Sequence, residues 1–311
     1  MLSYDQIKDK PSVLLSFTGL TQTEFEELLI AFTFAWYKSE QKRKQKRQRR
    51  VGGGRKPKLK TMADRLLFIL FYLKTYPLQE VQACLFNMSQ GQANEWIHRL
   101  AVVLKTALAD LNHLPERKGK CLAEILHENE ALSFAQDGCE RRRQRPKDND
   151  KQKEYYSGKK GTHTVKNHLV AHPESRRVCY LSKTVPGKKH DKKLADESEM
   201  QFPPLSLLEQ DTGFQGFDPE AVIVLQPKKK PKGKELSYTE KFINRCVSAG
   251  RIVAEHVIAG VKRCRIVKDV LRNWKSDFDD LIMELACGLH NLRVTMRSPI
   301  EALNLVDFYF Q

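Results

Sequence analysis

Three acidic residues, far apart in the chain, stand in settings suited to holding divalent metal ions. Asp137 precedes a glycine, Asp211 precedes a Thr-Gly-Phe run, and Glu255 lies in a segment with the periodicity of a helix. Carboxylate oxygens are hard ligands that suit Mg²⁺, with Mn²⁺ as a substitute. If the three converge, they can hold two Mg²⁺ ions about 3.5–4 Å apart, an arrangement that activates a water or a 3′-hydroxyl for attack on phosphate.

The segment around the third acid is the most informative. At about 100° per residue, Arg251, Glu255 and Lys262 fall within roughly 40° of one another on a helix. This face suits a carboxylate that holds a metal ion between two cations that bind phosphate. The neighbouring His256 is a candidate accessory group that assists proton transfer or hydrogen-bonds Glu255; packing alone is the other interpretation.

Asp191 is a fourth candidate for this set of acids. It follows a Gly-Lys-Lys-His run at a predicted junction between a strand and a helix. One interpretation makes it the N-cap of that helix. The other makes it an accessory group beside the metal site.

The charge pattern predicts a polyanionic partner. The chain has 311 residues, 41% of them hydrophobic, and a formal net charge of +16. Residues 38–60 contain twelve Lys or Arg and one acid, so most of this surplus is concentrated there. We expect Arg49, Arg50 and Arg55 to contact DNA backbone, although a solvated linker has the same composition.

Further cations lie near the predicted strand ends. Lys159, Lys160 and His163 precede the second predicted strand, and 227–231 is a Pro-Lys-Lys-Lys-Pro loop after the fifth. Any one such cluster is compatible with an ordinary solvated loop. Together they favour a DNA-binding rim around the acids.

The remaining composition excludes several classes of protein. Seven cysteines without a CxxC pair, and no secretory signal, indicate a reduced intracellular compartment and disfavour a zinc site. The longest apolar run, 66–73, is far too short to span a bilayer. We expect a soluble protein of the cytoplasm, with no membrane partner.

The N-terminal half predicts helices. Capping boxes are predicted before three helices, at Thr21 with Glu24, Ser89 with Gln92 and Ser237 with Glu240. The segment 61–108 is predicted to form three helices with tight connections. The last of these opens with Gln90, Gln92 and Asn94, whose amides suit base edges in a helix-turn-helix arrangement. The alternative is an ordinary three-helix unit that braces the following domain.

Beyond 115–120 the periodicity changes. Apolar runs predict strands at 131–137, 162–172, 177–185, 205–210 and 221–226, with helices at 192–200, from Ser237 through Lys262, and within 267–297. This order predicts an α/β fold, an RNase H-like mixed five-stranded sheet with flanking helices, after an all-α helix-turn-helix domain. Asp137 would end the first strand, Asp211 would follow the fourth, and Glu255 would lie on a helix packed across the sheet.

The expected domains are an N-terminal helix and basic arm at 1–50, a helix-turn-helix domain at 51–115, a catalytic domain at 120–297 and a C-terminal tail at 298–311.

Taken in order, these segments resemble insertion-sequence transposases of the DDE class, in the large group named after insertion sequence five. The resemblance spans about 56–297. The family signature around its Glu is Tyr, two residues, Arg, three residues, Glu, six residues, Lys, which Arg251, Glu255 and Lys262 match. Ser248 stands where the family has Tyr. The 44 residues from Asp211 to Glu255 leave no room for the inserted β-domain that some relatives have.

The resemblance implies that Asp137, Asp211 and Glu255 bind the catalytic Mg²⁺ ions and that Arg251 and Lys262 contact DNA near the cleaved phosphate. It also implies a bacterial, nucleoid-associated DNA transposase. Such an enzyme binds the inverted repeats of its element and joins their 3′ ends to target DNA, as a homodimer on double-stranded DNA. Two rivals stay open: a domesticated DNA-binding regulator, and a structure-selective nuclease of the same fold.

Overall fold

The computed structural model describes residues 1–45, 57–127, 133–230, 233 and 235–297. The α-helices in this part of the chain are α1 (Pro11–Thr18), α2 (Gln22–Gln45), α3 (Met62–Thr75), α4 (Gln79–Leu85), α5 (Gln90–Asp110), α6 (Leu122–His127), α7 (Asn149–Tyr155), α8 (Asp191–Asp196), α9 (Tyr238–Val261), α10 (Arg265–Lys268) and α11 (Phe278–Arg297). The strands are β1 (Ser133–Arg142), β2 (Tyr156–Ser157), β3 (Thr162–Ala171), β4 (Val178–Leu181), β5 (Val185–Pro186), β6 (Ser206–Glu209) and β7 (Val222–Leu225). No helix among these residues is both long and apolar enough to cross a membrane.

The helix starts that the sequence predicts are present. Ser89 and Ser237 each form a capping box with the residue three positions later, at the starts of α5 and α9. Thr21 and Glu24 form the same two hydrogen bonds, each backbone N–H donating to the other residue's side chain, before α2. These bonds satisfy backbone N–H groups that have no partner inside a helix. The sequence analysis did not predict α1, α6 or α7, each of which has eight residues or fewer.

The N-terminal helices form one packed unit. Helices α3, α4 and α5 are the predicted three-helix arrangement, and α2 lies across α5. Trp36 of α2 and Trp96 of α5 stack with ring centroids 5.9 Å apart. The guanidinium groups of Arg65 and Arg99 lie 4.3 and 4.0 Å from the centroid of the Trp36 ring. This cation–π cluster joins α2, and so the start of the basic arm, to the helix-turn-helix unit.

A mixed sheet forms the second half of the molecule. Its strands run in the order β2-β3-β1-β6-β7, with β4 and β5 also pairing with β3. The central strand β1 pairs antiparallel with β3 and parallel with β6, and β6 pairs parallel with β7. The architecture is therefore the predicted RNase H-like α/β sheet. Two short strands, β2 and β5, extend the predicted five, and α9 is one continuous helix.

Both faces of the central strand are covered. Phe134 belongs to a core with Leu208 and Phe214 on one face, and Cys139 belongs to a core with Val257 of α9 on the other. The second core is continuous with the helical unit, since α5 packs on α11. A strand buried on both faces reads as continuously apolar, so any polar residue on it needs a partner inside the protein. The boundaries between domains remain predictions.

The start of α11 is held to the sheet by a half-buried carboxylate. Asp280 accepts hydrogen bonds from Thr184 N (2.7 Å) and Thr184 Oγ1 (2.8 Å), and from Arg117 Nη2 (2.6 Å). Burial alone would raise the pKa of Asp280, but the bonds to Arg117 and Thr184 outweigh it and the pKa is lowered. A carboxyl whose pKa is lowered on folding stabilises the fold above its unfolded pKa of about 3.9 and loses that contribution as pH falls through the folded pKa.

We predict that Asp280→Asn lowers the free energy of unfolding at pH 7 by about 2 kcal/mol, because it removes a charged hydrogen-bond acceptor. The difference from the unsubstituted protein should begin to shrink as pH falls below the unfolded pKa of about 3.9, and it should be lost as pH falls through the lowered pKa of folded Asp280. Urea denaturation across this pH range measures it. Asp150→Asn is the matched control, since the Asp150 side chain is 90% exposed and should show neither effect.

Candidate active site

Two of the predicted acids lie on neighbouring parallel strands. The ladder between β1 and β6 pairs Ser133 with Leu207 and Ala135 with Glu209. The last pair of this ladder is Ala135 and Glu209, so Asp137 and Asp211 each lie two residues beyond it along the chain. The same register, continued by two residues, would set the two aspartates opposite each other.

Asp137 is not at the end of its strand, and that part of the sequence prediction was wrong. Strand β1 continues to Arg142, five residues beyond Asp137, because its second half keeps pairing with β3 up to the pair Arg142 and Thr164. What ends near Asp137 is the parallel ladder, whose last pair is Ala135 and Glu209. The acid therefore stands where the sheet opens between β1 and β6.

Beneath the two acids lies a buried chain of hydrogen bonds that the sequence analysis did not single out. Gln136 and Gln210, each 1% exposed, precede Asp137 and Asp211. Gln136 Nε2 donates to Gln210 Oε1, and Gln136 Oε1 lies 2.9 Å from His168 Nε2. The only sequence signal was the repeated Gln-Asp dipeptide. Burial lowers the pKa of His168 to about 3, so its ring is neutral.

Asp191 reaches the same edge of the sheet from α8. A Cβ atom added to Gly138 would lie 2.6 Å from Asp191 Oδ1, and one added to Gly213 would lie 3.1 Å from Asp191 Oδ2. Both glycines flank the predicted acids in sequence, so their missing side chains make room for this carboxylate. The N-cap interpretation was wrong: His190 is the N-cap of α8, and Asp191 is its first helical residue.

The Asp191 carboxylate is held by a cation. Lys166 Nζ, from β3, lies 3.0 Å from Asp191 Oδ1 and donates a hydrogen bond to the Lys189 carbonyl, also at 3.0 Å. Among the described residues, Asp191 Oδ1 is buried and accepts no hydrogen bond of good geometry. Lys166 thus compensates the charge of this carboxylate through an ion pair to Oδ1.

Helix α9, which bears the third acid, packs against β1. Ala254, Val257 and Val261 form its buried stripe, whereas Glu255 is exposed at the flank of that stripe. Lys262, just past the helix end, lies near β1. Burial raises the pKa of the Cys139 thiol, and the positive charge of Lys262 opposes that rise. Arg251 lies on the helix, but its side chain is outside the described part of the structure.

His256 lines a cavity of about 640 Å³ together with Arg263, His290 and Arg293, between α9 and α11. At 100° per residue, consecutive positions on a helix point to different sides. The structure therefore gives no support to an accessory role for His256 beside Glu255.

The predicted acids offer oxygen ligands of the kind that a hard divalent cation prefers, but the three do not surround a common point. Across the described residues, no group of three or more His, Cys, Asp or Glu is placed to hold a metal ion, so Asp137, Asp211 and Glu255 do not converge as a set of three. Asp137 and Asp211 follow the end of the β1–β6 ladder, and Asp191 adds a carboxylate beside Gly138 and Gly213, so oxygen ligands of the type that such an ion requires are present.

The predicted base-reading amides lie at the start of α5, and each already has a partner. Gln90 Nε2 and Asn94 Nδ2 donate to Gln79 Oε1 at 2.7 and 3.2 Å, and Gln92 Oε1 caps its own helix by accepting from Ser89 N. Each amide keeps further donors or acceptors for a base edge. Of the predicted cationic arm, Arg49, Arg50 and Arg55 lie outside the described residues.

The predicted cationic rim lies farther along the sheet. Lys159 and Lys160 are exposed, and His163 lines a cavity of about 640 Å³ with Arg145 and Lys188. The β1–β3 register pairs Asp137 with Leu169, so His163 lies six residues from that pair, or about 20 Å at 3.3 Å per residue. These cations lie beyond the C-terminal end of β1, well away from Asp137.

Comparison with known proteins agrees with this picture. Residues 136–291 match the family model described as DDE superfamily endonuclease, and residues 57–110 match the helix-turn-helix of DDE superfamily endonuclease. The chain is 29% identical over 261 residues to a protein named as a probable transposase for insertion sequence element IS702 of Microchaete diplosiphon, covering 84% of this chain and 88% of that protein. No solved structure matches the chain significantly.

We predict that Gly138→Ala destabilises the fold by about 1–3 kcal/mol, because the new methyl group would overlap the Asp191 carboxylate. Gly158→Ala is the matched control, since nothing lies within 4 Å of a Cβ there. In an Asp191→Ala background the cost of Gly138→Ala should largely disappear, as expected for residues in contact. Thermal and urea unfolding of the four variants measures this coupling; additive effects would show that Asp191 is not the neighbour that matters.

Proposed function

Because the chain belongs to the DDE superfamily of endonucleases, we propose that it is a DNA transposase that cuts the ends of its own element and joins them to target DNA. It binds the terminal inverted repeats through the helix-turn-helix domain and cleaves by metal-dependent phosphodiester hydrolysis. The freed 3′-hydroxyl then attacks a phosphodiester of the target. Two element ends must be held together, so the acting form is a homodimer on double-stranded DNA.

The observation that carries the proposal is that Asp137 and Asp211 each follow the last pair of the parallel β1–β6 ladder by two residues. Two carboxylates brought together at such a point repel each other unless a cation lies between or beside them. Helix α9, which bears Glu255, packs against strand β1, and Lys262 lies just beyond the end of this helix. The similarity to a named insertion-sequence transposase supports the choice of DNA as the substrate.

We assign the roles as follows. Asp137, Asp211 and Glu255 hold Mg²⁺, which when bound polarises the phosphate and lowers the pKa of an attacking water or hydroxyl. Glu255 completes the set when α9 shifts on DNA binding, since it is exposed and outside a closed cage. Arg251 and Lys262 hold the phosphate next to the cleaved bond, where charge develops.

The rest of the basic surface binds DNA without reading its sequence. Lys159, Lys160 and His163 contact flanking backbone, and the arm with Arg49, Arg50 and Arg55 adds to affinity through phosphate contacts. Gln90, Gln92 and Asn94 read bases in the major groove with the hydrogen-bonding capacity that their protein partners leave unused. Asp191, whose carboxylate lies beside Gly138 and Gly213, acts as an accessory carboxylate.

We predict that Asp137→Ala abolishes metal-dependent nicking of an element-end DNA fragment while leaving binding of that fragment intact. The reason is that the carboxylate contributes to the metal site and not to the helix-turn-helix surface. Gel assays for nicking with Mg²⁺ or Mn²⁺, and for binding without them, measure the two properties separately. Asp150→Ala serves as a control that removes an exposed carboxylate from α7. Nicking that survives in Asp137→Ala contradicts the site assignment.

The two rivals differ in which products they form. A domesticated regulator would bind the end without cutting it, and a structure-selective nuclease would cut without joining. We predict that the protein, given a pre-cut end with a free 3′-hydroxyl and a supercoiled target plasmid, forms a covalent strand-transfer product. Nicking without joining would favour the nuclease, and binding alone would favour the regulator.

A further inference from the structure

The hydrogen-bond chain below the two aspartates crosses three strands and a loop. It begins at His168 on β3, passes through Gln136 on β1 and Gln210 after β6, and ends at the Phe217 carbonyl, which accepts from Gln210 Nε2 at 3.2 Å. His168 is 0% exposed, and the two glutamines are 1% exposed. The three side chains are therefore shielded from solvent, and water does not compete for their hydrogen bonds.

The direction of the chain follows from its last member. A carbonyl can only accept, so Gln210 directs Nε2 towards Phe217 and Oε1 towards Gln136. Gln136 must then donate through Nε2, which leaves its Oε1 to accept from His168 Nε2–H. The ring of Phe214, in the turn after Asp211, lies 5.2 Å from the His168 ring and covers this group. Each amide has one orientation that satisfies all its neighbours.

Stability alone does not explain such a chain. Replacing two buried hydrogen-bonding partners by apolar groups of the same shape is often nearly neutral for folding. What bonded amides add is a defined distance and direction between the strands that bear them. The backbone ladder ends at Ala135 and Glu209, so the Gln136–Gln210 bond is a cross-strand link between that ladder and the acids.

We infer that Gln136 and Gln210, oriented by His168, are positioning residues that set the separation of Asp137 and Asp211 and thereby the affinity of the site for its metal ions. Each glutamine is covalently adjacent to one of the acids, so a change in the amide pair moves the acids directly. The Phe217 end of the chain holds the loop that follows Asp211 against the sheet. This inference rests on the proposed metal site.

The test is Mn²⁺ binding to the DNA-free protein, measured by electron paramagnetic resonance, in Gln136→Met and Gln210→Met. Methionine keeps the length of the side chain but cannot donate to or accept from its neighbours. We expect each variant to bind Mn²⁺ about tenfold more weakly, the range seen when groups that orient metal ligands are changed. Affinity for an element-end DNA fragment without metal should not change, because the helix-turn-helix surface is untouched.

Gln82→Met is the matched control. Gln82 is a glutamine of equal burial, 0% exposed, whose Nε2 donates to the Phe68 carbonyl at 2.9 Å within the helical unit. It should lose folding stability like the other variants yet keep the Mn²⁺ affinity of the unsubstituted protein. An equal loss of Mn²⁺ affinity in Gln82→Met, or none in Gln136→Met and Gln210→Met, overturns the inference.

If a single variant does not fold, the double variant Gln136→Met/Gln210→Met replaces the amide pair by two apolar side chains that can pack on each other. Its Mn²⁺ affinity should also fall, and an unchanged affinity rejects the positioning role. Asp137→Ala separates this inference from the proposed function. Unchanged Mn²⁺ binding in Asp137→Ala rejects the metal site and the inference together, whereas loss there with normal binding in the Gln136 and Gln210 variants rejects only the inference.

Discussion

The structure depends on burial of the central strand β1 from both sides. Phe134 packs into one core and Cys139 into the other, so every buried polar side chain on this strand must find its partner inside the protein. Gln136 meets this demand through Gln210 and His168, and Arg141 through Asn167 Oδ1 at 2.7 Å and the Asp279 carbonyl at 3.2 Å. These bonds determine which strands and helices can lie beside β1, because a shifted register would leave the buried side chains without their hydrogen-bond partners.

The same constraint explains how acids come to lie at the opening of a buried sheet. Asp137 alternates with Gln136 and so points to the opposite face, towards helix α9 and Lys262. Asp191 approaches from the α8 side through the space left by Gly138 and Gly213. Carboxylates thus arrive at one edge from both faces, where they are less buried than the strand residues beneath them. The sheet supplies rigid placement, and the helices and loops supply the remaining charge.

Several features could be predicted from residue patterns because their causes are local. The capping boxes at Thr21, Ser89 and Ser237 depend on residues three positions apart, and all three are formed. The alternating apolar runs predicted the main strands, and their order predicted the sheet. The extension of β1 beyond Asp137 could not be predicted in the same way. Residues 138–142 are mostly polar, and they are strand only because β3 pairs with them.

The sequence by itself determined the chemistry that this chain can offer: which acids, amides and cations it has, which segments are helices or strands, and that the surplus charge favours DNA. Only the tertiary structure decided which of these groups meet. Asp137 and Asp211 are 74 residues apart in the chain, and it is the parallel pairing of β1 with β6 that brings the segments bearing them together. His256 and Glu255 are adjacent in sequence, yet His256 lines the cavity with His290 and Arg293 while Glu255 lies on a different side of α9. The physical reason is that strand pairing and helix packing act between distant segments, so spacing along the chain does not encode proximity across it.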